Sequence, residues 1–196
     1  MAKRNFLGSL ITKLYIVFRG EWNPIINKFF ESRFLGVPKI DFERDMVPLS
    51  KDEFKKKITE YQYVSDPGKG FVDFTFLDPK FFFWDVLPYG RDCDDFSYMW
   101  YLWARFNEAI AYQYIVIPNF DVKNSHVVTV TKVGGVYTIY DYHKEYEARS
   151  ISDLMSIYFD DNYKGKKSSK DKEYTSISYA RLRQSEDLDT IRERLV

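Results

Sequence analysis

Residues 125–142 read Ser-His-Val-Val-Thr-Val-Thr-Lys-Val-Gly-Gly-Val-Tyr-Thr-Ile-Tyr-Asp-Tyr and predict a tight β-hairpin. Gly134 and Gly135 supply the positive φ angles that a two-residue hairpin loop requires. The β-branched and aromatic residues on both sides of the glycines favour strands. If the glycines form the loop, Val133 pairs with Val136, and this pairing fixes the register of both strands.

This register predicts that His126 and Asp141 lie on the same face of the sheet. They would be diagonal neighbours, which are about 7–8 Å apart at the backbone and within reach of long side chains. A carboxylate beside an imidazole fixes the ring tautomer and stabilises the imidazolium ion. His143 would lie opposite His126 and is a second candidate for the base. His126 is favoured because an apolar strand follows it.

A candidate nucleophile precedes the hairpin, since Cys93 is the only cysteine of the chain. Apolar residues at helical spacing predict a helix over 93–112, with the thiol at its start. Backbone N–H groups and the helix dipole favour a thiolate at that position. A cysteine, a histidine and an acid in this order are typical of thiol hydrolases.

The start of the same helix would also stabilise an oxyanion, most directly through the N–H of Cys93. Candidates for a second donor or for the substrate groove are Trp84, Tyr89 and Asp92, which lie just upstream. Negative charge near a thiol disfavours the thiolate, and Cys93 is surrounded by Asp92, Asp94 and Asp95. Alternatively, they are acids of the helix start, where carboxylates are favoured. Asp92 or Asp94 would then cap the helix, and Asp95 would pair with a basic group.

The segment 90–97, Gly-Arg-Asp-Cys-Asp-Asp-Phe-Ser, resembles the Gly-x-Asp-Cys-Glu-Asp segment of bacterial transglutaminase-like cysteine peptidases. The strand from Ser125 resembles their His-Ala-Val-Leu strand, and the strand ending at Asp141 resembles their acid-bearing strand. The resemblance covers about residues 84–145. It implies a papain-like α+β core in which a helix carrying the cysteine packs on an antiparallel sheet. It also implies a triad of Cys93, His126 and Asp141.

The chain is predicted to consist of two regions. Residues 1–63 are expected to form an N-terminal helical region, including an amphipathic helix over 5–18, and residues 64–196 the hydrolase core. Ser50 and Glu53 have the capping-box spacing, which predicts a helix over 51–63, preceded by an extended or looped segment at 39–49. Further elements expected along the core are strands at 71–76, 114–117 and 173–182, a helix at 151–160, a mobile loop at 162–172 and a helix from 185.

Composition limits the possible partners and cofactors. The formal net charge of zero gives no reason to expect nucleic acid. A single cysteine excludes an intrachain disulfide, and with only two histidines a zinc site would need carboxylate ligands. We therefore expect no metal and no cofactor. No apolar run is long enough for a transmembrane helix, so a cytoplasmic protein is expected, or a virion-associated one if a phage encodes it.

Three functions remain open from the sequence. The first is a peptidase or amidase that acts on a peptide or protein amide through an acyl-enzyme on Cys93. The second is a transglutaminase-type acyl transferase, which would use the same triad. The third is a papain-like domain without catalysis, serving in structure, binding or assembly, because the high aromatic content of 19% also suits a contact surface.

Overall fold

The structure, a computed structural model, describes residues 42–60, 63, 92–119, 121–168 and 170–195. In these residues three helices come first, then four strands, and then a helix, a fifth strand and a last helix. In chain order they are α1 (Phe42–Asp45), α2 (Lys51–Thr59), α3 (Cys93–Phe106), β1 (Ile110–Pro118), β2 (His126–Val133), β3 (Val136–Asp141), β4 (Lys144–Ala148), α4 (Ile151–Asn162), β5 (Ile177–Arg183) and α5 (Leu188–Leu195). A short 3-10 helix, Val122–Asn124, precedes β2.

The strands form one five-stranded antiparallel sheet in the order β4-β3-β2-β1-β5. The hairpin of β2 and β3 has the register predicted from the sequence, from Val133 opposite Val136 to Thr129 opposite Tyr140. The loop glycines have φ angles of 56° and 82°, as a turn with two left-handed residues requires. The expectation of an α+β protein with an antiparallel sheet is confirmed.

The two faces of the sheet carry different helices. Helix α3 lies against β1 and β2, and its fully buried Trp100 stacks on Tyr140 of β3, with ring centroids 4.4 Å apart. On the opposite face, Leu154 and Met155 of α4 pack against apolar residues of β1, β2 and β3. Since successive side chains of a strand point to opposite faces, both helices bury the sheet between them.

Helix α2 belongs to the same core as α3. Its predicted capping box is present, because Ser50 accepts from the Glu53 N–H and Glu53 accepts from the Ser50 N–H. The fully buried Phe54 meets Trp100 edge-on at 4.9 Å and stacks on Trp103 at 5.4 Å. The described part of the predicted N-terminal region therefore shares its packing with the helix that carries Cys93.

Helix α3 ends earlier than predicted, at Phe106 instead of residue 112. Asn107 caps it, and Glu108 adopts a left-handed φ of 63° that turns the chain into β1. Strand β1 begins at Ile110 rather than Tyr114. Ile110 continued the helical spacing only by coincidence, and in the strand it is 45% exposed.

Other boundaries also needed correction. Helix α1 and the turns after it occupy part of the segment expected to be extended or looped, and α2 ends at Thr59. Strand β4 was not predicted, because three of its five residues are charged, which is typical of a solvated segment. It pairs with β3 from Tyr137–Ala148 to Asp141–Lys144. The expected loop at 162–172 contributes a bridge between Lys167 and Glu173, and β5 begins at Ile177 rather than residue 173.

Several predictions lie outside the described residues, namely the helices within 1–35, the strand at 71–76, and the candidate residues Trp84 and Tyr89. None of the described helices is both long enough and apolar enough to cross a lipid bilayer.

The packing of Phe54 gives a stability prediction. Replacing Phe54 by Ala should lower the free energy of unfolding by about 3–5 kcal/mol, because it removes a fully buried ring that contacts two tryptophans. The matched control is Lys56→Ala on the exposed side of the same helix, which should change stability by less than about 0.5 kcal/mol. Equal urea midpoints for the two variants would show that α2 is not part of the core.

Candidate functional site

Cys93 is the first residue of α3, and Asp92 and Asp95, two of the three aspartates around it, cap that helix. Asp92 is the N-cap, and its carboxylate accepts from the Asp94 N–H at 3.4 Å. Asp95 Oδ2 accepts in return from the Asp92 N–H at 3.2 Å. This reciprocal arrangement confirms the expectation that an aspartate caps the helix. Asp92, a sequence candidate for the groove or oxyanion site, thus has a structural role at the helix start.

His126 and Asp141 lie at one end of the central hairpin. His126 opens β2, and Asp141 closes β3. Their side chains meet with His126 Nε2 2.6 Å from Asp141 Oδ1. The pairing of β2 with β3 runs from Val133 to Thr129, so both residues lie just beyond it, at the end of the sheet away from the glycine loop.

Cys93 and Asp141 act on His126 together. Burial alone would lower the pKa of His126, but the negative charges of Cys93 and Asp141, and hydrogen bonds to both, raise it well above 6.5. Because Asp141 already engages Nε2, the ring nitrogen left for the sulfur is Nδ1. The imidazole therefore bridges the thiol and the carboxylate, and this environment favours the imidazolium form.

Asp141 is more enclosed than His126, with its side chain 13% exposed against 26%. Burial would raise its pKa, but the charge of His126, together with hydrogen bonds from His126 and Tyr158, lowers the pKa below its ordinary value. Asp141 is thus held as an anion. Tyr158, on α4, donates to Oδ2 at 2.8 Å.

A buried set of polar side chains ties α3 to the sheet one turn beyond Cys93. Ser97 Oγ lies 3.0 Å from Thr129 Oγ1, and Thr129 donates to the Ser97 carbonyl. Gln113 of β1 donates to Ser97 Oγ at 3.2 Å, and Arg183 of β5 donates to Gln113 Oε1 at 2.8 Å. These contacts fix the helix that carries the thiol against the strand that carries His126.

His143, the alternative base, lies elsewhere. It is an exposed residue of the turn between β3 and β4, and its ring contacts Tyr142 at 5.2 Å between centroids. Of the two histidines, the structure brings His126 to Cys93 and Asp141.

Sequence reasoning missed three tyrosines near the site. Tyr158 is one of them. Burial, and then the charges of Cys93 and the nearby aspartates, raise the pKa of Tyr63, whose ring is parallel to that of Phe96 at 6.2 Å. Burial, and then the charges of Asp141 and Cys93, raise the pKa of Tyr163. No local pattern marks these residues, since only the tertiary fold brings them to the site.

One group of potential metal ligands coincides with the helix start. Asp92, Cys93 and Asp94 each place one possible ligand atom within 4.8 Å of the others. A thiolate and carboxylates are acceptable zinc ligands. In this site, however, the Asp92 carboxylate already accepts from the backbone of the helix.

Comparisons of the chain with models of protein families, with curated proteins and with solved structures find no match.

The ion pair at the site predicts how His126 titrates. Replacing Asp141 by Asn should lower the pKa of His126 towards its ordinary value, because a neighbouring negative charge is lost. Histidine resonances followed by NMR across pH would measure the shift. Asp160→Asn is the matched control, since Asp160 is an exposed acid of α4 paired with Lys164. An unchanged His126 titration in Asp141→Asn would contradict the pairing.

The same pKa shift carries a stability consequence with a defined sign. Because folding raises the pKa of His126, this group contributes stability that is complete below about pH 6.5 and is lost as the pH rises through the folded-state pKa. The difference in unfolding free energy between the wild type and Asp141→Asn should therefore shrink as the pH rises through that range. Chemical denaturation at a series of pH values would measure it, and a difference that grew would contradict the assignment.

Proposed function

We propose that this protein is a thiol hydrolase, a peptidase or amidase, that cleaves a peptide or protein amide through an acyl-enzyme on Cys93. The observation that carries the proposal is the position of His126, which lies 2.6 Å from Asp141 and close enough to Cys93 for the charge of the sulfur to raise its pKa. A nucleophile, a base and an acid that orients the base are the parts that such chemistry requires.

The first half of the reaction forms a thioester. His126 holds the thiol proton, and the Cys93 thiolate attacks the carbonyl carbon of the amide. The carbonyl oxygen becomes an oxyanion near the start of α3, where the Cys93 N–H has no carbonyl of its own helix to bind. When the C–N bond breaks, the imidazolium of His126 gives its proton to the leaving amine.

The second half releases the acid. Neutral His126 takes a proton from water, and the resulting hydroxide attacks the thioester carbon. The C–S bond breaks, the carboxylic acid leaves, and the thiolate–imidazolium pair is restored. Asp141 keeps the proton on Nε2 throughout, so that the other ring nitrogen faces the sulfur. Every proton is accounted for by groups of the site and by water, and no cofactor takes part.

The proposal also includes the core fold and the cytoplasmic location that were predicted from the sequence. The order of Cys93, His126 and Asp141 along a helix and a following hairpin supports a papain-like, transglutaminase-like core. Such an enzyme needs a reduced thiol, which suits the cytoplasm. An amine that reached the acyl-enzyme before water would turn the same site into a transglutaminase-type transferase.

A thiol-directed acylating probe tests whether Cys93 is a nucleophile. At about pH 6, where an ordinary thiol of pKa about 8.5 is protonated, the folded protein should be labelled far faster than denatured protein. His126→Ala should lose the labelling, because the imidazolium partner of the thiolate is gone. His143→Ala is the matched control and should keep it. Labelling no faster than in the denatured protein would favour a papain-like domain without catalysis.

Substitution of the nucleophile and of the acid tests their roles in turnover of a thioester or amide substrate. Cys93→Ala should fold normally and be inactive. Asp141→Asn should also fold but turn over more slowly, by about three to four orders of magnitude if Asp141 sets the tautomer. Steady-state rates and thermal unfolding would measure both effects, and activity retained in Cys93→Ala would refute the mechanism.

The fate of the acyl group separates the hydrolase from the transferase. The acyl-enzyme should be intercepted only weakly by an added primary amine, because a hydrolase delivers the acyl group to water. Mass spectrometry of the products, with and without the amine, measures this partition. A predominantly amidated product would assign the transferase instead.

A further inference from the structure

Tyr158 makes a contact that the proposed chemistry does not itself require. It lies on α4, on the face of the sheet opposite α3, and the residue is 1% exposed. Its hydroxyl donates to Asp141 Oδ2 at 2.8 Å, while Asp141 Oδ1 lies 2.6 Å from His126 Nε2. The two carboxylate oxygens therefore have separate partners from two different elements.

This arrangement restricts the rotation of the carboxylate. If the carboxylate turned about its Cβ–Cγ bond, both hydrogen bonds would break together, one of them to a charged ring. A carboxylate anchored on one oxygen alone would lose only one hydrogen bond in the same rotation. With two anchors, Oδ1 stays aimed at Nε2, and the imidazole keeps its orientation towards Cys93.

The surroundings of Tyr158 keep its hydroxyl in place as a donor. Its ring is packed edge-on against Tyr146 at 5.3 Å and Tyr163 at 6.1 Å. Burial, and then the charge of Asp141, raise its pKa well above 10. The phenol therefore keeps its proton at any pH at which the enzyme would work, so its hydroxyl donates and Asp141 accepts.

We propose that Tyr158 is a positioning residue that acts on the thiol chemistry through Asp141, by holding the carboxylate in the one orientation that fixes the tautomer of His126. This inference rests on the proposed function for its effect on catalysis. Its effect on the tautomer does not depend on any substrate. The hydroxyl of Tyr158 donates to Asp141 and not to the thiol.

The experiment compares Tyr158→Phe with Tyr146→Phe. Both remove one hydroxyl from neighbouring tyrosines, but the Tyr146 hydroxyl bonds Asp161 and Asn162, not Asp141. The ¹⁵N spectrum of the neutral His126 ring should show the Nε2–H tautomer in the wild type and in Tyr146→Phe. In Tyr158→Phe it should show a mixture. Alkylation of Cys93 by iodoacetamide at about pH 6 should slow roughly tenfold in Tyr158→Phe alone, as expected for one hydrogen bond to a charged group.

The pH profile and a double-mutant cycle separate positioning from general packing. The hydrogen bond from Tyr158 lowers the pKa of Asp141, so the acid side of the alkylation profile should move to higher pH in Tyr158→Phe. In an Asp141→Ala background the Tyr158→Phe substitution should have no further effect on the rate, because no side-chain oxygen remains at position 141 to accept from the hydroxyl. Thermal unfolding would verify that each variant is folded at the working temperature.

The outcomes distinguish this inference from the proposed function. A wild-type thiol no more reactive than denatured protein would refute the hydrolase, yet the tautomer comparison would still test the role of Tyr158. An Nε2–H tautomer equally pure in Tyr158→Phe and Tyr146→Phe would overturn the inference. So would a rate loss for Tyr158→Phe that is as large in the Asp141→Ala background as in the wild type.

Discussion

The packing of α3 against β2 is the constraint on which the candidate site depends. Cys93 is on the helix and His126 is on the strand, so their separation depends on how these two elements pack. Ser97 and Thr129 form a buried hydrogen-bonded pair between them, extended by Gln113. A shift of the helix would leave these buried groups without hydrogen-bond partners, which costs about 1–3 kcal/mol for each group. An apolar interface alone would tolerate small shifts. The polar contact therefore selects one position of the thiol.

Charge around the thiol is organised by the helix start. The aspartates next to Cys93 look unfavourable for a thiolate, but Asp92 and Asp95 direct their carboxylates to backbone N–H groups of the first turn. Positive charge comes instead from His126, whose pKa is raised by Cys93 and Asp141 acting together. The site thus places the imidazole between the thiol and the carboxylate, and the capping aspartates stabilise the helix end that presents the thiol.

The parts of the site that local rules govern were predictable from the sequence. The glycine pair at 134 and 135 fixes the hairpin register, and alternation along the strands then puts His126 and Asp141 on one face. The end of α3 was mispredicted because Ile110 continued the helical spacing by chance. Tyr158 could not be found, since it lies on the next helix, 17 residues from Asp141, and only the packing of α4 on the sheet brings the two together.

Aromatic residues of α3 fix the position of this helix, which carries Cys93. The polar atoms of three of its aromatic side chains reach surrounding segments: Trp100 Nε1 donates to the Tyr142 carbonyl, Trp103 Nε1 to the Leu49 carbonyl, and the Tyr101 hydroxyl to the Gln184 carbonyl. These acceptors lie after β3, before α2 and after β5. Each ring buries apolar surface and also satisfies a backbone group outside the sheet ladder. In the described part of the chain, the high aromatic content therefore connects peripheral segments to the helix that carries Cys93. A contact surface for other molecules is not needed to account for these particular residues.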